Sequence, residues 1–311
     1  VNAAAIEAAR RKLEARLSIE LASGRARFVF SGGFVLPPSS DLRSRLDRYG
    51  HLLFWGGDAD YRIVEPGALR ALLGERRLDV SPLSPAEFRA AGEGPRRLGL
   101  RTRRVEIAAR AAKATFEVAS LGAAGDGGPL VCRFLLDLMS VAPNAAGGGA
   151  CGADEVPLHA ELRWTTRGAL SFDVTSIGRR SEASLQSLAV PPASASLVTS
   201  PPPAVPAELL LARTELAAFR SAPVDLPASA AHGSQPPPEA GLLLINSSDE
   251  LRVVWIDGVP VAWVAAAGRL ALNTMLRGRY VLQWRTFLGD GWEAPDAMIA
   301  PGVSEVGSAA R

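Results

Sequence analysis

Leu251-Arg-Val-Val-Trp-Ile-Asp-Gly-Val-Pro-Val-Ala-Trp-Val264 places two apolar, β-branched runs on either side of Asp257-Gly258. Asp-Gly accommodates positive φ at both central positions of a type I′ turn, so the spacing predicts a β-hairpin with a two-residue loop. In that register Ile256 opposes Val259, Trp255 opposes Pro260, Val254 opposes Val261 and Arg252 opposes Trp263. One face then carries Ile256, Val254, Val259, Val261 and Trp263, and the other Leu251, Val253, Trp255, Ala262 and Val264. Both faces are apolar, which predicts a hairpin covered on both sides or one with a greasy face left for a partner.

The flanking sequence extends the hairpin into a small β-domain over residues 241–302. Leu242 to Ile245 is an opening strand, Leu270 to Leu272 another, and Arg277-Gly278 a turn. From Arg279 to Phe287, Tyr280, Leu282 and Trp284 alternate with Arg279, Gln283 and Arg285, the period of a half-buried strand. Trp292 to Ala300 supplies a last short strand interrupted by Pro295, and residues 303–311 read as a tail.

The opening strand, Val254-Trp-Ile-Asp-Gly-Val-Pro-Val261 and Leu276-Arg-Gly-Arg-Tyr-Val281 together resemble a PEGA domain, a β-module of bacterial surface and envelope proteins. The resemblance covers residues 241–301, about a fifth of the chain. The Pro-Glu-Gly-Ala tetrapeptide that names the family is absent, as is its Gly-x-Thr-Pro after the hairpin. What the resemblance implies is a small all-β fold and a place in the cell envelope.

In front of this domain, residues 181–240 are rich in Pro, Ala and Ser, with Pro191-Pro192, Pro201-Pro-Pro203 and Pro236-Pro-Pro238, and read as an extended linker. Within it Ala207 to Arg220 carries Leu209, Leu210, Leu216 and Phe219 at helical spacing, a short ordered piece that tacks the linker onto a domain. The N-terminal part divides into a helix in residues 1–22 and a mixed domain over 23–180. Asn2 to Leu17 has Ile6, Leu13 and Leu17 on one stripe, Asn2 as a cap and Glu7 four residues before Arg11. Leu42 and Leu46 predict a helix over Asp41 to Tyr49, Pro66 to Leu73 another, and Ser84-Pro85 caps a third through Ala91. Strands are expected at Arg25 to Phe30, Leu52 to Trp55, Tyr61 to Val64, Leu98 to Ile107 and Ala114 to Leu121. A buried helix is expected at Cys132 to Val141, and Leu158 to Trp164 and Ala169 to Ile177 form a hairpin around Arg167-Gly168. Without a regular βαβ repeat, the fold class is α+β.

Composition narrows the function. At 311 residues the chain can bury two cores. A formal charge of +2 is too mild to imply a nucleic-acid partner. No apolar run reaches the roughly 18 residues of a transmembrane segment. The chain opens at Val1 with neither Met nor signal peptide, which fits a processed or truncated form. Cys132 and Cys151 are the only cysteines and flank a glycine-rich stretch. They are expected to form a disulfide worth about 3 kcal/mol by loop-closure entropy. That pairing points to an oxidising compartment, two free thiols in a cytosol being the alternative. No metal or other cofactor is expected, since His51, His159 and His232 lie at no zinc-ligand spacing from them.

Candidate chemistry is thin. Asp58, Asp60 and Glu65 could be read as a calcium loop or an acid–base pair, but the EF-hand pattern fails and a solvated turn is the expected reading. The glycine clusters at 122–128 and 147–149 lack the Gly-Lys-Ser/Thr of a phosphate loop. Arg96, Arg97, Arg101, Arg103 and Arg104 are the densest basic run, with Arg101 and Arg103 on one strand face as an anion-binding stripe or a charged edge. Of the six tryptophans, Trp255, Trp263, Trp284 and Trp292 crowd the C-terminal domain. Trp255, paired with Pro260 on the hairpin face opposite Trp263, is the candidate to bind a glycan or protein. No nucleophile motif is present.

The expected protein is therefore a non-catalytic binding or scaffolding protein of a bacterial periplasm or outer envelope, recognising surface polymers or partner proteins. The alternatives are a subunit of a larger envelope assembly, and an enzyme using Asp58, Asp60 or Glu65 on envelope glycans.

Overall fold

The computed structural model describes residues 2–22, 24–32, 36, 39–45, 51–55, 60–64, 82–142, 149–165, 168–179, 194–199, 207–219, 238–248, 250–286 and 295–307. The readings at Asp58, Glu65, Pro66 to Leu73, Trp292 and most of the proline linker lie outside them. Within them the chain is mostly β, with several sheets and few helices. Helix α1 (Ala3–Lys12) starts at Asn2, whose side chain accepts a hydrogen bond from the Ala5 N–H at 2.8 Å, and ends with Arg10, Arg11 and Lys12 against its negative end. The expected helix through Leu17 stops early, because β1 (Leu17–Ala22) turns Leu17, Ile19 and Leu21 toward a core at period two.

Strand β1 opens an antiparallel meander with β2 (Arg25–Phe30), β3 (Asp41–Arg45), β4 (His51–Trp55) and β5 (Asp60–Val64). The helix expected over Asp41 to Tyr49 is strand β3 as far as the described residues go. Leu42 sits between Phe28 and Leu53 across the sheet, while Asp41 and Arg43 ion-pair on the other face. A second sheet holds β6 (Ala86–Glu93), β7 (Arg103–Ala109), β8 (Ala112–Ser120), β9 (Glu155–Trp164) and β10 (Ala169–Asp173), all antiparallel, with β6 and β10 at its edges. The helix expected from Ser84 to Ala91 is instead the edge strand β6. Ser84 gives its backbone groups to Ser140 and Ala142 rather than capping a helix, and Phe88 lies opposite Ile107. The strand expected from Leu98 begins only at Arg103.

Helix α2 (Gly128–Leu138) packs its Leu130, Val131, Phe134 and Leu135 into the core shared by these two sheets, with Phe134 stacked on Phe28 at 4.8 Å. Cys132 on this helix is disulfide-bonded to Cys151, the Cα atoms 6.2 Å apart. A two-residue strand β11 (Ser196–Leu197) runs parallel to β5, so the linker touches the N-terminal part at one more place than expected.

The second core is a β-sandwich. One sheet is β12 (Glu208–Leu209), β15 (Val259–Val264), β14 (Arg252–Ile256), β17 (Gly278–Thr286) and β18 (Asp296–Ala300), in that order. The other has β13 (Leu242–Asn246) between β16 (Gly268–Leu272) and β19 (Gly302–Val306). The expected tail at 303–311 is corrected as far as the described residues go, to 307: Val303 and Val306 are buried, and β19 runs parallel to β13. Trp284 donates its Nε1–H to Ser304 Oγ at 2.9 Å, a bond from one sheet to the other. Helix α1 and the short helix α3 (Arg213–Ala217) also belong to this core, through Ala9, Leu210, Leu211, Leu216 and Phe219. The ordered piece of the linker is thus present, pairing β12 with β15.

The Asp257-Gly258 turn forms with both residues at positive φ, +48° and +77°. Ile256 opposes Val259 and Trp255 opposes Pro260, and then the register shifts so that Val254 opposes Ala262 and Val253 opposes Trp263. The cause is Pro260, which has no N–H to give an inner ladder and sits next to the bulge. The shift moves Trp263 onto the same face as Val253 and Trp255, not the opposite one.

Candidate binding surface

The sandwich buries one face of its larger sheet, where Val254, Ile256, Tyr280, Leu282 and Trp284 meet Leu242 and Leu244 of the other sheet. The outer face divides in two. Toward β15, α1 lies against the strand, and its Ala5, Ile6 and Leu13 pack on the core that includes Val253, Val261 and Trp263. Toward β17, the outward residues are Arg279, Val281, Gln283 and Arg285, and Val281 is 48% exposed.

Trp255 stands at the boundary between the two. It is half-buried, with Pro260 on one side and Gln283 on the other. The Arg285 guanidinium lies 4.0 Å from the centroid of its ring and donates from Nε to Gln283 Oε1 at 3.0 Å. A guanidinium stacked on an indole and aligned by an amide presents its remaining N–H edges outward at little entropic cost. Of the two residues expected at this site, Trp255 is therefore partly accessible and Pro260 is buried. Arg285 was not singled out from the sequence. Its signal was present, because Trp255 and Arg285 fall on one face once β14 and β17 are paired.

Arg101 and Arg103 do not share a strand face. Arg101 precedes β7, whereas Arg103 opens it and gives Nε to Glu155 Oε1 at 2.6 Å and Nη2 to the Ala150 carbonyl at 3.1 Å. Glu155 also accepts from the Gly152 N–H, so the pair fastens the chain on either side of Cys151. The Arg103 hydrogen bond, helped by that of Gly152 and opposed by partial burial, holds the Glu155 carboxyl below the usual range.

The outer face of the second sheet carries a row that the sequence did not disclose. Arg104 on β7, Glu117 on β8, His159 on β9 and Asp173 on β10 are successive cross-strand partners. His159 Nδ1 lies 2.6 Å from Asp173 Oδ1, Ser171 Oγ donates to Asp173 Oδ2 at 2.8 Å, and Arg97 reaches Glu117 at 2.7 Å. Partial burial raises the Asp173 carboxyl, but the hydrogen bonds from His159 and Ser171 and the charge of Arg97 outweigh it, leaving the group below its ordinary value. Ser171 donates to the aspartate and not to the imidazole, so the three do not form a nucleophile–base–orienter relay. The row is a ladder of paired polar side chains that ties four strands.

An open cleft of about 660 Å³ lies between α1, the end of the β1–β2 hairpin and β12, lined by Glu7, Arg11, Lys12, Arg16 and Glu208 over Trp263. Glu7 pairs with Arg11 and Glu208 with Lys12. Among the described residues no three His, Cys, Asp or Glu side chains converge as a metal site would need, and no helix is long and apolar enough to cross a membrane. Asp60 begins β5.

No family model, curated protein or solved structure matches the chain.

Proposed function

We propose that this is a non-catalytic binding or scaffolding protein of the bacterial periplasm or outer envelope. Its PEGA-like C-terminal sandwich holds an acidic sugar polymer on the outer face of its larger sheet. The observation that carries this reading is the Arg285–Trp255 stack beside the outward Arg279 and Val281. A guanidinium held flat on an indole offers its N–H groups to a carboxylate, the chemistry that takes an acidic sugar by its charged group. The Cys132–Cys151 disulfide supports an oxidising compartment.

Co-sedimentation of the full chain with peptidoglycan sacculi, and retention on an immobilised uronic-acid polysaccharide, test it. The wild type is retained on the acidic polymer and released by salt, and Arg285→Ala and Trp255→Leu each lose most of that retention. Equal retention of all three proteins, or none by the wild type, defeats the proposal. Retention on sacculi alone moves the target to the wall polymer.

A further inference from the structure

Strand β6 is an edge, and its regular part is a palindrome in chemical terms. Its register with β7 is unbroken over Ala86-Glu-Phe-Arg-Ala90 and shifts only beyond Ala90, before Glu93. The centre of that run is Phe88. In an antiparallel pair of two copies about Phe88, Ala86 meets Ala90 of the second copy, Glu87 meets Arg89, Phe88 meets Phe88, and Arg89 meets Glu87. Opposite charges therefore face each other twice, which is what a two-fold, self-complementary contact requires.

Three observations place this edge in the open. Among the described residues no strand pairs with the outer side of β6. Glu87, Arg89 and Ala90 are exposed, and Phe88 is half-buried at the rim of the first core. Among the described residues, 140–142 approach this side, where Ser140 and Ala142 bond both backbone groups of Ser84, and they form no further bond along β6. By strand alternation Ala86, Phe88 and Ala90 turn their N–H and C=O groups the way Ser84 does, away from β7. These are the groups that exchange bonds in a pair centred on Phe88.

We infer that a second copy of this chain pairs antiparallel with β6 about Phe88, joining the two five-stranded sheets into one continuous sheet. The contact covers the exposed rim of Phe88 with its own counterpart and gives Glu87 and Arg89 the partners they lack across that edge. A five-residue edge makes a small interface, so the dimer forms and dissociates with concentration. The inference is independent of the polymer-binding face, which lies on the other core.

Sedimentation velocity of the full chain over a concentration series reads the dimer directly. Wild-type protein shows reversible dimer. Glu87→Arg and Arg89→Glu each set like charges opposite one another and weaken self-association by about tenfold. An equimolar mixture of the two variants regains association as a heterodimer, since one chain then brings two arginines and the other two glutamates. The double variant Glu87→Arg/Arg89→Glu also regains it. Wild-type protein that stays monomeric overturns the inference, as does a dimer indifferent to the single changes or variants that fail to associate when mixed. Recovery in the mixture also establishes that both variants fold.

Discussion

Asn246 ends β13 with no solvent exposure and holds the end of the hairpin in place. Its Nδ2 lies 2.7 Å from the Glu250 carbonyl, 3.1 Å from that of Val264 and 3.0 Å from that of Ala265. Its Oδ1 accepts from the Ser248 N–H at 3.1 Å and from Ser248 Oγ at 2.6 Å. An amide has two hydrogens and two lone pairs, so three carbonyls share two donors and at most four bonds are lost in Asn246→Ala. At about 1 kcal/mol net for each bond the loss is about 4 kcal/mol. Ser248 Oγ is already 3.0 Å from the Glu250 carbonyl and recovers part of this, which leaves an expected cost of about 3 kcal/mol. Asn246→Asp is worse at neutral pH, because it keeps the volume but turns a carboxylate toward three carbonyl oxygens. Urea unfolding followed by the fluorescence of the buried Trp263 and Trp284 measures both. A loss below about 1 kcal/mol for Asn246→Ala, the level of an ordinary surface change, refutes the reasoning. So does a variant Asn246→Asp that is more stable than Asn246→Ala.

Further outcomes follow from the same geometry. Replacing Cys132 and Cys151 together by Ser lowers stability by about 3 kcal/mol, and reductant brings the wild type to the level of the variant; a reductant-insensitive wild type contradicts the disulfide. Ser304→Ala leaves the Trp284 Nε1–H buried without its acceptor and costs about 1–3 kcal/mol in the same urea assay, whereas no change means that the two sheets are not joined there. Glu155 and Asp173 both have folded-state pKa values below the ordinary carboxylate range, so the unfolded chain binds their protons more tightly. Their stabilisation is complete above the unfolded carboxylate pKa and is lost as the pH falls through the folded values. Glu155→Gln therefore flattens the acid side of a stability-against-pH curve below about pH 5, and an unchanged slope contradicts the pairing.

The C-terminal sandwich was legible because its signals are local. Asp257-Gly258 sets a turn by itself, and Tyr280, Leu282 and Trp284 announce their face by alternation. What the sequence concealed there was the bulge, though Pro260 in the middle of an inner strand is its signal. The helices expected at Asp41 and Ser84 failed for a different reason. Leu42 and Phe88 are placed by cross-strand neighbours distant in sequence, Leu53 and Ile107, and tertiary pairing overrode the local cap and spacing. The Arg104–Glu117–His159–Asp173 row was invisible because it exists only when three registers are known at once. At Leu17 the helical stripe of Ile6, Leu13 and Leu17 competes with the strand alternation of Leu17, Ile19 and Leu21, and the strand prevails. At the other end, Val303 and Val306 were too few and too near the terminus to declare β19. Of the candidate site, Trp255 could be named from the sequence. Its partner Arg285 needed the β14–β17 register, and the stripe of Arg101 and Arg103 dissolved because Glu155 takes Arg103.

The central claim is that the open face at Trp255 binds an acidic sugar polymer. Indole N–H signals in a nitrogen-15 spectrum, assigned by single Trp→Phe changes and followed while a uronic-acid oligosaccharide is added, test it most directly. The account predicts that the Trp255 signal moves with the Arg285 side chain and saturates, while those of Trp263 and Trp284 stay in place. A Trp255 signal that does not move, or one that moves no more than those of the two buried tryptophans, contradicts it.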